Sequence, residues 1–198
     1  MKLLKELLFG CSVHSVIGDT NVPIASIHFN SNDISESSLF VAIKGVKKNG
    51  HNFITDSILL GAVAVVCEKL PDEINHNVTY VQVGNSAHVL GLLSSNFFDN
   101  PSSKLKLVGI TGTNGKTSIA HYLSDLFTNL NFKIGLISTT KNRIHKQSYP
   151  STHTTPNAFE INRLLSLMVQ NGCQFCFMEV SSHGIMQDRI AGLNFSIA

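Results

Sequence analysis

The sequence has no apolar run that approaches the ~20 residues a membrane-spanning helix needs, so no stretch of it reads as a membrane span. Charge is scarce as well. Only 14% of the residues are charged and the formal net charge is +2, too small an excess to argue for nucleic acid or an anionic membrane as a partner. Internal repeats and low-complexity tracts are missing, which excludes solenoid and tail-like classes. The N-terminal run Met1-Lys2-Leu3-Leu4-Lys5-Glu6-Leu7-Leu8 carries charges inside it. That pattern predicts a short amphipathic helix and not a secretory signal, and the expected location is the cytoplasm. A monomer is the default expectation.

Cysteine supplies no framework. The four are Cys11, Cys67, Cys173 and Cys176, and the last two form a C-x-x-C. Cys176 falls in the apolar run Phe175-Cys176-Phe177-Met178, which reads as a buried strand. Side chains three apart on a strand point to opposite faces, and no second Cys/His pair has zinc spacing. The cysteines are expected to be buried structural thiols.

What remains is a globular composition, 43% hydrophobic over 198 residues, enough for one large domain or two small ones. After the first helix, residues 22–30 alternate as a half-buried strand does. Leu39 to Ile43, Ala62 to Val66 and Thr79 to Val83 read as further strands. Phe53 to Leu60 and Ala87 to Phe98 read as helices. The polar cluster Asp99-Asn100-Pro101-Ser102-Ser103 then marks a domain boundary, giving expected domains 1–99 and 100–198.

The second half is organised around Leu107-Val108-Gly109-Ile110-Thr111-Gly112-Thr113-Asn114-Gly115-Lys116-Thr117-Ser118. An apolar strand runs into a small-residue turn and then into a helix start, the order a phosphate-binding loop needs. Glycines let backbone N–H groups approach phosphate oxygens, and a helix N-terminus adds partial positive charge. Lys116 would reach the β- and γ-phosphates and the Thr117 hydroxyl would hold magnesium. The loop is a variant, because Ile110 stands where a strict Walker A loop has its first glycine.

Downstream, Ile119, Tyr122, Leu123, Leu126, Phe127 and Leu130 recur at helical spacing and predict one face packed on a sheet. Lys133 to Thr139 is the next strand, and Thr140 to Thr154 a polar loop or hairpin. Thr155-Pro156 is expected to open a helix, with Pro156 at its first position and Thr155 as a candidate cap. Ile161, Leu164, Leu165 and Met168 form its buried face. Phe175 to Val180 is a strand, and Leu193 to Ala198 a last apolar run. Alternating strands and helices predict an α/β fold with a parallel sheet and right-handed crossovers. Ligands bind such sheets beyond the carboxyl ends of the strands. This brings the phosphate loop, Ser138-Thr139-Thr140 and Glu179-Val180-Ser181 to one edge, where Glu179 can hold magnesium directly or through water. Arg189 suits a bidentate anion contact or a solvated surface equally well. His183 and His51 receive no role.

Read together, Gly109-Ile110-Thr111-Gly112-Thr113-Asn114-Gly115-Lys116-Thr117, Thr154-Thr155-Pro156 and Met178-Glu179-Val180-Ser181-Ser182-His183-Gly184 resemble the Mur ligases of peptidoglycan synthesis. The T-T-P and M-E-V-S-S-H-G pair is similar to the MurE type, which adds the third residue of the stem peptide. It argues against the ligase adding D-Ala-D-Ala and against folylpolyglutamate synthetase. Leu39 to Ile43, Gly50-His51-Asn52-Phe53-Ile54 and Gly61 to Val65 resemble the family's N-terminal uridine-nucleotide domain.

The resemblance implies an ATP- and magnesium-dependent ligase. ATP would phosphorylate the D-glutamate carboxylate of UDP-N-acetylmuramoyl-L-Ala-D-Glu, and the amine of a free diamino acid would attack the acyl phosphate. The M-E-V-S-S-H-G wording, similar to that of Gram-negative members, points to meso-diaminopimelate over lysine. It further implies that Gly112, Thr113, Asn114, Gly115, Lys116, Thr117 and Ser118 contact ATP. His153, Thr154, Thr155, Ser181, Gln187 and Arg189 would contact the muramoyl peptide, and Phe29, Ser31, Val46, Lys47 and Lys48 the uridine diphosphate. Lys116 and Glu179 would be catalytic, with Thr117 and Glu179 at the metal.

Three positions depart from the family pattern. Asn30-Ser31-Asn32 stands where many members have D-S-R, losing both charges, and His153 where asparagine is common. Family members also continue with more of the ATPase sheet, a carbamylated lysine for a second magnesium and an amino-acid-selecting domain. The expectation is therefore an N-terminal fragment, with an incomplete ATP-binding domain whose last apolar strand lacks neighbours. Alone it would be unable to complete catalysis. The alternative is a nucleotide-binding remnant without turnover.

Overall fold

The computed structural model describes residues 1–45, 48–151 and 153–198. The chain divides into two compact units, Met1–Phe97 and Phe98–Ala198. In the first unit the elements are β1 (Lys2–Leu3), α1 (Leu4–Leu7), β2 (Val13–Ile17), β3 (Pro23–Ile24), β4 (Ser26–His28), β5 (Ser38–Val41), α2 (Ile54–Leu59), β6 (Ala62–Cys67), β7 (Thr79–Val83) and α3 (Ser86–Phe97). Five strands form one sheet in the order β2-β7-β6-β5-β4. β4 to β7 pair in parallel, and β2 is antiparallel to β7. β5 and almost all of β6 are buried, as apolar strands inside a covered parallel sheet are.

Three local differences from the sequence reading have physical causes. The N-terminal helix is one turn long, because Lys2 and Leu3 pair with Pro23 and Ile24 instead of continuing it. The strand expected over 22–30 is split where the Ala25 N–H leaves to donate to the Ser37 carbonyl, at 2.8 Å. β2 was not anticipated. It is a half-buried edge strand of five residues, two of them His and Ser, a weak signal.

The second unit contains β8 (Lys106–Ile110), α4 (Lys116–Asn129), β9 (Ile134–Ile137), β10 (Lys141–Ile144), β11 (Gln147–Pro150), α5 (Ala158–Gln170), β12 (Phe175–Glu179) and α6 (Ser182–Met186). The sheet order is β11-β10-β9-β12-β8. β9, β12 and β8 are parallel, and β10 and β11 add an antiparallel hairpin. The final apolar run does have a neighbour, contrary to expectation. Ser196 N–H donates to the Leu107 carbonyl at 2.8 Å and Gly109 N–H to the Ile197 carbonyl at 2.9 Å, so the chain joins the free edge of β8.

The buried face of α4 is not the one the apolar spacing predicts. Ala120 and Ser124 are buried, and Leu123 and Phe127 pack on the sheet core. Ile119, Tyr122, Leu126 and Leu130 are exposed, Tyr122 at 74%. Small residues let the helix approach the sheet, and hydropathy gives them little weight. α5 buries Ile161, Leu164, Leu165 and Met168 as expected. Its cap is Asn157, whose side chain accepts the Glu160 N–H at 2.9 Å. Thr155 is therefore not the cap, and Pro156 lies before the helix.

All four cysteines are free thiols, and Cys67, Cys173 and Cys176 are buried. Burial pushes the Cys67 thiol up to about 11 and raises Cys173 and Cys176 too. Cys173 and Cys176 share one core cluster, because Cys173 precedes β12 and the alternation of strand faces does not reach it. Among the described residues no group of three or more His, Cys, Asp or Glu side chains could hold a metal.

The contact between α4 and the sheet is aromatic. Phe127 lies edge-on to Phe175 at 4.7 Å and to Phe177 at 5.1 Å between ring centroids. Phe177 is buried at the centre of this cluster. Phe177→Ala is expected to lower the unfolding free energy by about 3–5 kcal/mol, measured by urea denaturation. An unchanged midpoint would contradict this packing.

Candidate functional site

β8 ends at Ile110, and α4 starts six residues later at Lys116. The connecting loop turns through Gly112 at φ +139° and Gly115 at φ +80°, backbone conformations that favour glycine. Lys116 Nζ curls back over the loop and donates to the Gly112 carbonyl at 2.6 Å. The loop N–H groups and the first turn of a 14-residue helix form a backbone cradle suited to an anion. Ser118 lies in that first turn, on an exposed face.

β12 brings the carboxylate. Its last residue, Glu179, pairs in register with Ile110, the last residue of β8, so the two strand ends are level. Glu179 is 0% exposed. Its Oε2 accepts from Thr117 Oγ1 at 3.0 Å and Thr139 Oγ1 at 3.1 Å, and its Oε1 accepts from the Thr139 N–H at 2.9 Å. All three donors are neutral. A buried carboxylate held this way keeps its affinity for a cation.

The donor set fits magnesium. Thr117 Oγ1 and Glu179 Oε2 lie 3.0 Å apart and can face one ion. A single carboxylate and a hydroxyl beside an anion cradle suit a cation that keeps waters and takes phosphate oxygens, rather than an all-protein cage. A cavity of about 740 Å³ opens over this pair, lined by the loop from Thr111 to Thr117 and by Thr139, Thr154, Ser181 and His183. Its size is that of a small-molecule site.

The remaining expected residues divide. Thr154 lines the cavity and shares a 3.0 Å hydrogen bond with Thr139. Thr155 lies beneath, 1% exposed. Its hydroxyl is bonded to the Glu179 carbonyl at 3.0 Å, the Ser181 N–H at 2.9 Å and Ser181 Oγ at 3.1 Å. Arg189 Nη1 donates to the Thr155 carbonyl at 2.6 Å, while its Nε and Nη2 both reach Gln187 Oε1. Arg189 and Gln187 thus brace the Thr155 backbone. His153 is exposed, and its carbonyl accepts from Ser151 Oγ.

In the first unit, Phe29 follows β4 and is partly exposed. Ser31 opens a short turn capped by the Asn30 side chain, which also donates to Asp33 at 2.9 Å. Lys48 Nζ lies 5.8 Å from the Phe53 ring centroid. Val46 and Lys47 lie outside the described residues.

Sequence reasoning left three residues without a role. Thr139 supplies two of the three bonds to Glu179, and its signal was a polar residue at the carboxyl end of a strand. His183 lines the cavity. His51 accepts the Glu68 N–H at Nε2, 2.9 Å, and its Nδ1 lies 2.9 Å from Asn49 Oδ1. It therefore tethers the loop before α2 to the end of β6. Burial lowers its pKa, with Glu68 opposing, which favours the neutral ring that this acceptor role requires.

Residues 23–98 match the Mur ligase family, catalytic domain, and residues 110–198 the Mur ligase middle domain. The chain is 50% identical over 194 residues to the UDP-N-acetylmuramoyl-L-alanyl-D-glutamate--2,6-diaminopimelate ligase of Cytophaga hutchinsonii, covering 98% of this chain and 40% of that protein. It is 45% identical over 193 residues to the protein of the same name from Phocaeicola vulgatus, with the same shares covered. Among solved structures it is similar to one of a UDP-N-acetylmuramoyl-L-alanyl-D-glutamate--2,6-diaminopimelate ligase, with TM-score 0.78 and 21% identity over 98% of this chain and 39% of that one. It is also similar to the Thermotoga maritima MurF ligase in complex with ADP, with TM-score 0.54 and 23% identity over 79% of this chain and 32% of that one. The chain thus spans about 40% of the length of the curated relatives it matches.

Thr155→Val keeps the side-chain shape but leaves the Ser181 N–H unpaired in a buried site. It is expected to cost about 1–3 kcal/mol of stability, read from urea denaturation. A variant as stable as the parent would remove Thr155 from its bracing role.

Proposed function

The chain belongs to the Mur ligase family, and on that premise we propose that it supplies two domains of an ATP-dependent ligase. That ligase joins meso-2,6-diaminopimelate to UDP-N-acetylmuramoyl-L-Ala-D-Glu in the cytoplasm. The observation that carries the reading is Glu179, buried and, among the described residues, without a cationic partner, beside Thr117 and the anion cradle. The names of the relatives support the substrate and the choice of diaminopimelate.

In this reading the loop from Gly112 to Ser118 binds the ATP phosphates, with Lys116 turning from its own loop carbonyl to the β- and γ-phosphates. Thr117 and Glu179 hold magnesium, which when bound neutralises charge building on the transferring phosphoryl group. The cavity wall at Thr154 and Ser181, with Thr155, Gln187 and Arg189 fixing it from behind, orients the D-glutamate carboxylate toward the γ-phosphate. A carboxylate oxygen attacks the γ-phosphorus and ADP leaves, giving an acyl phosphate. The diamino acid's amine then attacks the acyl carbon, phosphate leaves and the nitrogen loses a proton to give the amide. Residues 1–99 form the uridine-nucleotide domain, where Phe29, Ser31, Val46, Lys47 and Lys48 contact the uridine diphosphate.

A second reading rests on the 40% share of the relatives' length: the chain alone binds nucleotide without turnover. Calorimetric titration of ATP with magnesium, together with a phosphate-release assay, tests both. Lys116→Ala is expected to weaken ATP binding by at least about tenfold; unchanged affinity would sink the loop assignment. UDP-muramoyl dipeptide should bind in preference to the tripeptide, and the reverse preference would move the chain to another ligase of the family. Steady phosphate release by the chain alone would overturn the second reading.

A further inference from the structure

Two of the three hydrogen bonds that hold Glu179 come from Thr139, which lies on the short turn between β9 and β10. What holds that turn is His121. It projects from the second turn of α4, four residues after Thr117. Its Nε2 lies 3.0 Å from Thr140 Oγ1 and 3.3 Å from Ser138 Oγ, the hydroxyls on either side of Thr139. Ser138 is fully buried, donates to the Lys141 carbonyl at 2.7 Å and accepts the Lys141 N–H at 3.4 Å, and its Oγ also faces His121 Nε2 and Thr140 Oγ1.

We propose that His121 is a positioning residue for the magnesium carboxylate, clamping Ser138 and Thr140 to α4 so that Thr139 meets Glu179. The proposal rests on the nucleotide and magnesium reading above and adds to it a residue that touches neither ligand. One helix then sets the carboxylate from two sides. Thr117 bonds it directly, and His121 acts through the turn. Without the imidazole, the turn keeps its Ser138–Lys141 bonds and β10 keeps the bonds of Arg143 to Ser124 and Asp125 of α4, but Ser138 and Thr140 lose theirs. The His121 side chain bonds Ser138 and Thr140 and, among the described residues, makes no hydrogen bond to the cradle from Gly112 to Lys116. The loss therefore falls on the metal and not on the phosphates. Thr139 is the partner one step removed from the metal, where such groups typically change its affinity by about 10–100-fold, and His121 acts through it.

The test titrates ATP into the 198-residue chain twice, in excess EDTA and in excess magnesium. The ratio of the two affinities reads the metal's share. His121→Ala is expected to lower this ratio by about tenfold or more, with the EDTA affinity held within about twofold. His121→Gln, whose amide reaches the place of Nε2, should restore most of it. Thr140→Val, at an exposed position, removes the other end of the bond and should lower the ratio even if His121→Ala fails to fold. An unchanged ratio in a folded His121→Ala or Thr140→Val protein overturns the proposal. So does an equal loss with and without magnesium, or a failure of the glutamine to rescue. ATP binding that Lys116→Ala does not weaken would instead bring down the nucleotide reading, and this proposal with it.

Discussion

The parallel pairing of β12 with β8 is the constraint on which the site depends. It sets Glu179 level with Ile110, so a carboxylate emerges beside the point where the chain leaves the sheet for the phosphate cradle. That carboxylate is buried and, among the described residues, bonded only to neutral donors. A desolvated carboxylate is costly unless its oxygens are met; two elements converge to meet them and a third fixes the end of the strand. α4 contributes Thr117, the β9–β10 turn contributes Thr139, and Thr155 fixes the backbone that leaves β12 by bonding both the Glu179 carbonyl and the Ser181 N–H.

The aromatic contact under α4 matters for the same reason. Phe127, Phe175 and Phe177 hold the helix to the sheet, and Ala120 and Ser124 let it lie close. Lys116, Thr117 and His121 are therefore carried by a rigid element rather than by a loop, the arrangement that precise binding geometry needs. Small residues close the gap between helix and sheet, and polar residues gather at the strand ends.

Much of this was legible in the sequence, and the failures are informative. The central strands were readable because parallel strands covered on both faces are continuous apolar runs, as in Ala62 to Cys67. The phosphate loop was readable because its glycines, lysine and threonine each answer a distinct physical need. Glu179 was readable as a carboxylate at the carboxyl end of such a strand. The buried face of α4 was not, since large apolar residues at Ile119, Tyr122 and Leu126 outweighed Ala120 and Ser124 in the pattern while facing solvent. Thr155 looked like a helix cap because a proline follows it, yet its hydroxyl closes a bond between segments more than twenty residues apart. Local spacing carries no record of such a partner. Thr139 was placed at the right edge but its bonds to Glu179 were not readable, and His121 and His51 escaped, for the same reason, each bonding across the fold.

The central claim is that Thr117 and Glu179 share a divalent cation at the end of β12. The most direct measurement is anomalous diffraction from crystals of the chain grown with ADP and manganese in place of magnesium. The expected result is a manganese peak beside Thr117 Oγ1 and the Glu179 carboxylate, in contact with nucleotide phosphate oxygens. Nucleotide bound in the loop with the metal elsewhere, or with no metal peak near Glu179, would contradict it.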